Sequence, residues 1–391
     1  MKTVGVFFGS RSPEHDVSII TGHLVISGLI KLGFSVQAVY IDTNGKWLVG
    51  EKVNSLKYFT DPKLNPELKK IMDVSLDLSA SNKVVNLQEK KLLAGKNYSI
   101  DIAFPAFHGQ YGEDGTFQGM CEMLNIPYVG CDTTSSAVAM DKVLTKLLYK
   151  ADDIPTTRFV HFTRYEWDTD NNAIIAKIQK EVGTNTIVKP ARLGSSIGIA
   201  KAKNKKDLVQ AIEVALHYDD KVIVEETVEP LVDITCAVLG GENPKASCLQ
   251  ESLFSSDVFS YEDKYLNDGG VQLGNAKSNI VIPARLDKET TAKIRDMAVR
   301  IFKLIGCNGT ARVDFLYNPK TKKYYANEVN TMPGTLYHHL WKASGVELSE
   351  LLQTLINLAE LRHKAKSTLT HTFKSSLLSM ANSQKLQLKK S

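Results

Sequence analysis

A chain of 391 residues is too long for one ordinary core and implies two or three domains, and 43% hydrophobic with 23% charged residues is the balance of a globular protein rather than a membrane or disordered one. The formal charge of +5 belongs to one end: seven of the 48 basic residues lie from Arg362 onward with no acid among them, and the rest sets 41 basic residues against 43 acidic ones, so nothing supports a nucleic-acid partner. The five cysteines form no C-x-x-C pair and no apolar run approaches a membrane span, so free thiols, a cytoplasmic location and no membrane partner are expected.

Thr3 to Phe8 reads as a short buried strand and Val17 to Leu32 as the helix after it. The loop between them, Gly9 to Asp16, leaves the carboxyl end of a strand, where open α/β sheets bind ligands. Glu14 in that loop is either a contact for a cationic amine or a charge complementing the helix N-terminus. Ser35 to Ile41 is a second strand, Asn44-Gly45 turns the chain, and the less regular residues 51 to 99 contain a strand pair over Leu87 to Leu93. Asp101 to Phe107 is another strand, running into the loop His108 to Gly115, whose spaced glycines let a backbone approach a ligand closely. His108 there either hydrogen-bonds a substrate or caps the loop. Helix Thr116 to Leu124 and the strand end Pro127 to Gly130 close a first unit.

A second unit holds helix Asp141 to Tyr149 and strands near Thr157 to Phe162 and Thr186 to Val188. Lys189 leaves the last strand and is followed by Gly194-Ser195-Ser196 and a further strand, Ile199 to Ala202: a phosphate cradle of backbone N–H groups and hydroxyls around a point charge, or simply a turn. It is not a P-loop, because the lysine precedes the glycine and no helix follows at once. Lys142 is a second phosphate contact or an exposed helix lysine. Strand Val222 to Glu226 ends in two acids, and Glu225, Glu226 and the later Asp233 suit the hydroxyls and amino group of a nucleoside, or else charge a sheet edge. Ile234 to Leu239 continues the sheet. From Ser252 to Ile280 the chain is long, polar and glycine-bearing, the length of a lid, with Tyr261, Lys264 and Tyr265 inside it. Lys288 to Ile305 is an amphipathic helix capped by Asp287 and stopped by Gly306.

The chain then reaches two strands, Ala311 to Tyr317 and Tyr324 to Asn330, around a polar turn. Side chains alternate faces along a strand, so Arg312 shares a face with Asp314, and Glu328 with Asn330. A hairpin centred near Lys320 and Thr321 sets Asp314 close to Glu328 and Arg312 close to Asn330. Two facing carboxylates call for a cation between them; magnesium suits these oxygen ligands, and Arg312 suits an anion that gains charge during reaction. A last helix, Leu348 to Leu361, covers the hairpin.

In this order the motifs resemble those of ATP-grasp enzymes and, within them, the D-alanine-D-alanine ligases, over about residues 1 to 365. They are Ser12-Pro13-Glu14-His15-Asp16-Val17-Ser18, Phe107-His108-Gly109 with Gly112-Glu113-Asp114-Gly115, Met140-Asp141-Lys142, Val188-Lys189-Pro190 with Gly194-Ser195-Ser196, Tyr261-Glu262-Asp263-Lys264-Tyr265, Ala311-Arg312-Val313-Asp314 and Asn327-Glu328-Val329-Asn330. The resemblance implies an α/β (mixed α+β) ATP-grasp fold. Its domains would be an N-terminal open α/β domain over 1–130, a central domain over 131–220, a C-terminal domain over 221–365 with a lid at 252–282, and a basic tail over 366–391. It implies that ATP phosphorylates one D-alanine, whose acyl phosphate a second D-alanine attacks, to supply peptidoglycan synthesis. Asp314, Glu328 and Asn330 would hold two magnesium ions, with manganese an alternative, and Lys142, Lys189, Lys264 and Ser196 would meet phosphates. Arg312 and the Gly334 N–H would stabilise the oxyanion; Glu14 would hold the first amine, linked through Ser195 to Tyr265; Glu225 or Glu226 and Asp233 would contact adenosine. A homodimer is the family's expectation.

Two departures stand out. Ser10 replaces a second glycine after the first strand, a minor change. After Gly334 the chain is about four residues short of the family's pattern, in the segment whose serine helps bind the second substrate's carboxylate. D-Alanine remains the expected acceptor, with D-lactate, D-serine or another amino acid as the alternative, and His338 or His339 is a candidate cation for the acceptor carboxylate.

Overall fold

The computed structural model describes residues 2–61, 72–77, 85–89, 97–253, 280–371 and 375. The apolar run at the start forms β1 (Thr3–Gly9), buried along nearly its whole length, as a parallel strand covered on both faces must be. With β2 (Ser35–Ile41), β3 (Trp47–Val49), β4 (Met72–Asp77), β5 (Val85–Glu89), β6 (Asn97–Ile100) and β7 (Ile102–Pro105) it makes a seven-stranded sheet in the order β6-β5-β4-β3-β2-β1-β7. Only the β1 pairings with β2 and β7 are parallel. Of the strand pair read over Leu87 to Leu93, Leu87 to Glu89 belong to β5, which begins earlier, at Val85, and lies between β4 and β6; residues 90 to 93 lie outside the described residues. Helix α1 (His15–Lys31) starts two residues before its predicted first turn, with Glu14 at the N-cap position, and α2 (Thr116–Met123) packs with Phe7 and Phe107 on the sheet's other face.

Helices α3 (Thr133–Met140) and α4 (Lys142–Ala151) meet at Asp141, whose side chain accepts from the N–H groups of Val143 and Leu144. A four-stranded antiparallel sheet follows, of β8 (Phe159–Thr163), β9 (Thr186–Pro190), β10 (Ala200–Ala202) and β11 (Lys221–Glu226) in the order β10-β9-β11-β8. Helices α5 (Arg164–Glu181) and α6 (Lys205–Tyr218) cover it, and neither is anticipated by the sequence reading, nor is α3. The third sheet joins β12 (Val232–Gly240), β13 (Lys245–Ser252), β14 (Ile280–Val281), β15 (Gly309–Asn318) and β16 (Lys323–Asn330) in the order β14-β13-β12-β15-β16.

Helix α7 (Lys288–Ile305) lays Ile294, Ala298, Ile301, Phe302 and Ile305 on that third sheet, between its Asp287 cap and a left-handed Gly306, as its pattern predicts. Helices α8 (His338–Ala343) and α9 (Leu348–Ser367) share one core with α1 and the first sheet, where Leu352 packs so close to Gly28 that a Cβ there would have to displace its side-chain tip. Helix α9 runs past its predicted end at Leu361: Arg362 donates to the carbonyls of Tyr128 and Gly130 and lies 4.2 Å from the centre of the Tyr128 ring. The start of the basic segment is therefore anchored rather than frayed.

Candidate active site

The β15–β16 hairpin pairs Arg312 with Asn330 and Asp314 with Glu328. A turn centred between Lys320 and Thr321 would by itself set Asp314 opposite Asn327; a register shift after Asp314 leaves Asn327 as the extra residue and brings Glu328 across from Asp314. Asp314 is buried. Its carboxylate accepts from Arg312 Nε at 2.9 Å and Nη2 at 2.7 Å, from Thr235 Oγ1 at 3.0 Å and from Asn330 Nδ2 at 3.2 Å. Glu328 lies 3.7 Å from Lys142 Nζ and 3.9 Å from Arg312. The premise that only a bound cation lets these carboxylates face each other is corrected: Arg312 and Lys142 already offset their charge. Burial opposes the guanidinium charge of Arg312, but Asp314 outweighs it and holds the pKa well above the usual value.

The expected phosphate lysines converge from two other elements. Lys142 opens α4 and its Nζ donates to Leu193 O at 2.6 Å, which ties the helix to the Gly/Ser loop. Lys189, on β9, donates to Glu225 Oε1 at 2.9 Å and to Asn327 Oδ1 at 3.2 Å, so the extra residue in the hairpin is aimed at this lysine. A lysine the sequence reading passed over, Lys146, is fully buried, 3.0 Å from Glu225 Oε2 and 2.9 Å from both Thr156 and Thr157 hydroxyls. It lies one helical turn after Lys142, and that spacing was its signal in the sequence. Burial by itself would raise the Glu225 pKa, but Lys146 and Lys189 together pull it well below the usual carboxylate range. Glu225 is thus committed to holding lysines, while Glu226 pairs with Arg158 at 2.8 Å and is only half-buried. Both glutamates, Asp233, Ser196, Lys142 and Lys189 line one cleft of about 530 Å³, the size of a small-ligand site.

Glu14 is buried beside the Gly/Ser loop and accepts a hydrogen bond from the Ser195 hydroxyl, 181 positions away. Gly109 and Gly194 make this approach possible, since a Cβ on either would stand 2.8 Å from Glu14 Oε2. His108 is buried with Nε2 2.8 Å from the Thr21 hydroxyl, and burial first, then Arg312, push its pKa down to about 3, so its ring is neutral. Glu113, 3.9 Å from His108, has its pKa raised well above the usual value by burial and by the nearby Glu14. Glu14, His108, Glu113, Ser195, Arg312 and Gly334 surround a space of about 10 Å³, room for roughly one water. Lys264 and Tyr265, with the expected link from Tyr265 to Ser195, lie outside the described residues.

After Gly334 the backbone takes a course the sequence reading missed. Thr335, Leu336 and Tyr337 are buried and left-handed, with φ of +48°, +56° and +52°, and the Thr335 N–H donates to the Thr21 hydroxyl at 3.0 Å. Ser10 is left-handed too, at +90°, so the exchange of glycine for serine falls on a position that favours glycine and is less minor than expected. His339 is corrected as a candidate cation. Burial lowers its pKa to about 4, and its Nε2 meets Gln250 Oε1 at 2.7 Å.

Asp314, Glu328 and the Asn330 carboxamide carry hard oxygen donors of the kind magnesium prefers. Among the described residues no three His, Cys, Asp or Glu side chains gather as a self-sufficient metal cage. The five cysteines are free, and no described helix is long and apolar enough to cross a membrane.

Two family models match the chain: "D-ala D-ala ligase N-terminus" over residues 3–131 and "D-ala D-ala ligase C-terminus" over 148–357. The chain is 40% identical over 368 residues to a D-alanine--D-alanine ligase of Thermosipho melanesiensis, covering 94% of this chain and 96% of that protein. It is 38% identical over 380 residues to the enzyme of the same name from Geobacillus thermodenitrificans, covering 95% and 100%. Among solved structures it is similar to the D-alanine-D-alanine ligase of Coxiella burnetii, with a TM-score of 0.77, 28% identity and coverage of 94% and 98%. It is similar to the VanG D-Ala:D-Ser ligase of Enterococcus faecalis, with a TM-score of 0.77, 34% identity and coverage of 92% and 99%.

Proposed function

The chain belongs to the D-alanine-D-alanine ligase family and has its ATP-grasp fold, and from that premise we propose that it joins two D-alanine molecules at the expense of ATP, to supply peptidoglycan synthesis. The carboxylate of the first D-alanine takes the terminal phosphoryl group of ATP, and ADP leaves. The amine of the second attacks the acyl carbon, loses a proton, and releases phosphate as the peptide bond forms. The observation that carries this reading is the meeting of Glu14 and Ser195 with Arg312 around a small space that shares Glu328 with the cleft Lys142 and Lys189 line.

Glu14 would bind the first substrate's ammonium, with Ser195 orienting its carboxylate. Arg312 is held by Asp314 as a fixed cation where the tetrahedral oxyanion develops, and the Gly334 N–H would join it. Lys142, Lys189 and Ser196 would meet the ATP phosphates, with Glu225 and Lys146 fixing Lys189 in place. Glu226 and Asp233 are the better partners for adenosine, because the Glu225 carboxylate is already committed. Asp314, Glu328 and Asn330 would hold magnesium, which when bound neutralises phosphate charge. Five free cysteines support a cytoplasmic enzyme, and a homodimer is proposed on the family's expectation alone.

A second reading keeps the chemistry and changes the acceptor to D-serine or D-lactate. It is favoured by the left-handed turn that follows Gly334 in the shortened segment. Phosphate release should be measured with D-alanine alone and then with each alternative acceptor, and the products identified. D-Alanine-dependent release with D-Ala-D-Ala as main product is expected; release indifferent to D-alanine would sink both readings.

A further inference from the structure

An α-amino acid carries its carboxylate two bonds from the attacking nitrogen. The acceptor's carboxylate must therefore be met within a few ångströms of the carbon that Arg312 serves. One hydroxyl there is Tyr337. The left-handed run Thr335, Leu336, Tyr337 is a strained conformation that persists only where the surroundings impose it. It brings the Tyr337 ring to 5.2 Å from Arg312 Cζ, and the residue lines the cleft beside Asp314 and Thr235.

The hydrogen-bond network behind the ring decides where its hydroxyl proton goes. His339 Nε2 lies 2.7 Å from Gln250 Oε1, and His339 Nδ1 is buried with no hydrogen-bond partner among the described residues. A buried N–H with nothing to donate to is the costlier orphan, so the ring proton belongs on Nε2, which donates to Oε1. The Gln250 amide must then present its NH₂ to the Tyr337 oxygen, 3.2 Å away. The phenol oxygen accepts, and its own proton is left for the cleft.

We propose that Tyr337 determines acceptor specificity by donating its phenolic O–H to the carboxylate of the accepting amino acid, with Gln250 and His339 as positioning residues. The inference rests on the ligase reading and assigns the acceptor side of that site.

The test is Tyr337→Phe, which keeps the ring and its packing, read in two ways. Trapping with hydroxylamine reports D-alanyl phosphate formation without an acceptor carboxylate, as D-alanyl hydroxamate. Dipeptide formation is then measured with D-alanine or with D-alaninamide, which lacks the carboxylate, as acceptor. Hydroxamate formation should stay within about twofold of the parent, while acceptor KM rises about tenfold and the preference for D-alanine over D-alaninamide falls by a similar factor. Unchanged acceptor KM and preference, or an equal fall in hydroxamate and dipeptide with the preference intact, would overturn the assignment. A parent enzyme that forms no hydroxamate with D-alanine overturns the ligase reading itself, and this inference with it.

Discussion

Glu328 is the residue on which the metal assignment turns. It is only partly buried, and its contacts to Lys142 and Arg312 are long. Glu328→Gln should leave the thermal midpoint nearly unchanged and raise the magnesium requirement roughly 10- to 100-fold, read from phosphate release against magnesium concentration. An unchanged requirement would remove Glu328 from the metal site. His339 makes the opposite point. Its folded pKa of about 4 lies below the ordinary 6.5, so His339 undergoes no change of charge between about pH 6 and 8, and His339→Gln should leave the pH dependence of acceptor KM in that range as it is in the parent. The same depression makes a stability statement. The unfolded chain binds the proton first, so stability is full above 6.5 and falls as pH drops toward 4, and His108, at about 3, adds to the same slope. Urea midpoints measured across that range should decline on the acid side, and His339→Gln should make the decline shallower.

Among the elements, β11 and α4 are locked together by one carboxylate. Glu225 is 1% exposed and receives Lys146, Lys189 and the Thr157 hydroxyl, so its removal strands two lysines, one of them fully buried. Breaking a buried pair on one side costs about 3–5 kcal/mol, and Glu225→Gln should lose that much in chemical denaturation near neutral pH. Because the folded pKa is depressed, this contribution is present above the ordinary carboxylate value of 4.5 and disappears as pH falls below it through the folded value. The gap between parent and variant should therefore narrow in acid; a gap independent of pH would mean that lost packing, not lost charge, destabilises the variant. The hairpin β15–β16 shows the same economy in backbone: one extra residue both sets Glu328 across from Asp314 and turns Asn327 to Lys189.

Across the whole molecule, α9 is fastened to α2 and the strand end that follows it. Arg362 reaches the carbonyls of Tyr128 and Gly130 and covers the Tyr128 ring, while Lys366 pairs with Glu122. Arg362→Ala should cost about 1.5–3 kcal/mol, the worth of charge-assisted hydrogen bonds with partial exposure, and should raise hydrogen exchange in the strand end around Tyr128 before the rest. Uniform exchange would show that α9 is held by its apolar face alone, through Leu351, Leu352, Leu355 and Ile356. The placement matters for function because Glu14 and His108 come from the part of the chain that α9 clamps, and Arg312 and Gly334 from the part α9 follows.

The reach of the sequence followed the range of the forces involved. Amphipathic α7, the buried β1 and the alternating faces of the hairpin were legible because helix and strand periods and end caps are local patterns, set within a few residues. The same rule exposes what was legible and unread: α6 carries Leu208, Ala211, Ile212, Ala215 and Leu216 at helical spacing behind an Asn204 cap, and α5 opens with a Thr163–Glu166 capping box but buries only three residues. The tertiary structure alone decided the partners of Glu225, the neutral state of His108 and His339, and the left-handed turn that carries Tyr337. Charge pairing and desolvation depend on groups that meet only after folding, across separations such as the 68 positions between Thr157 and Glu225. No local period in the sequence records which of them will meet.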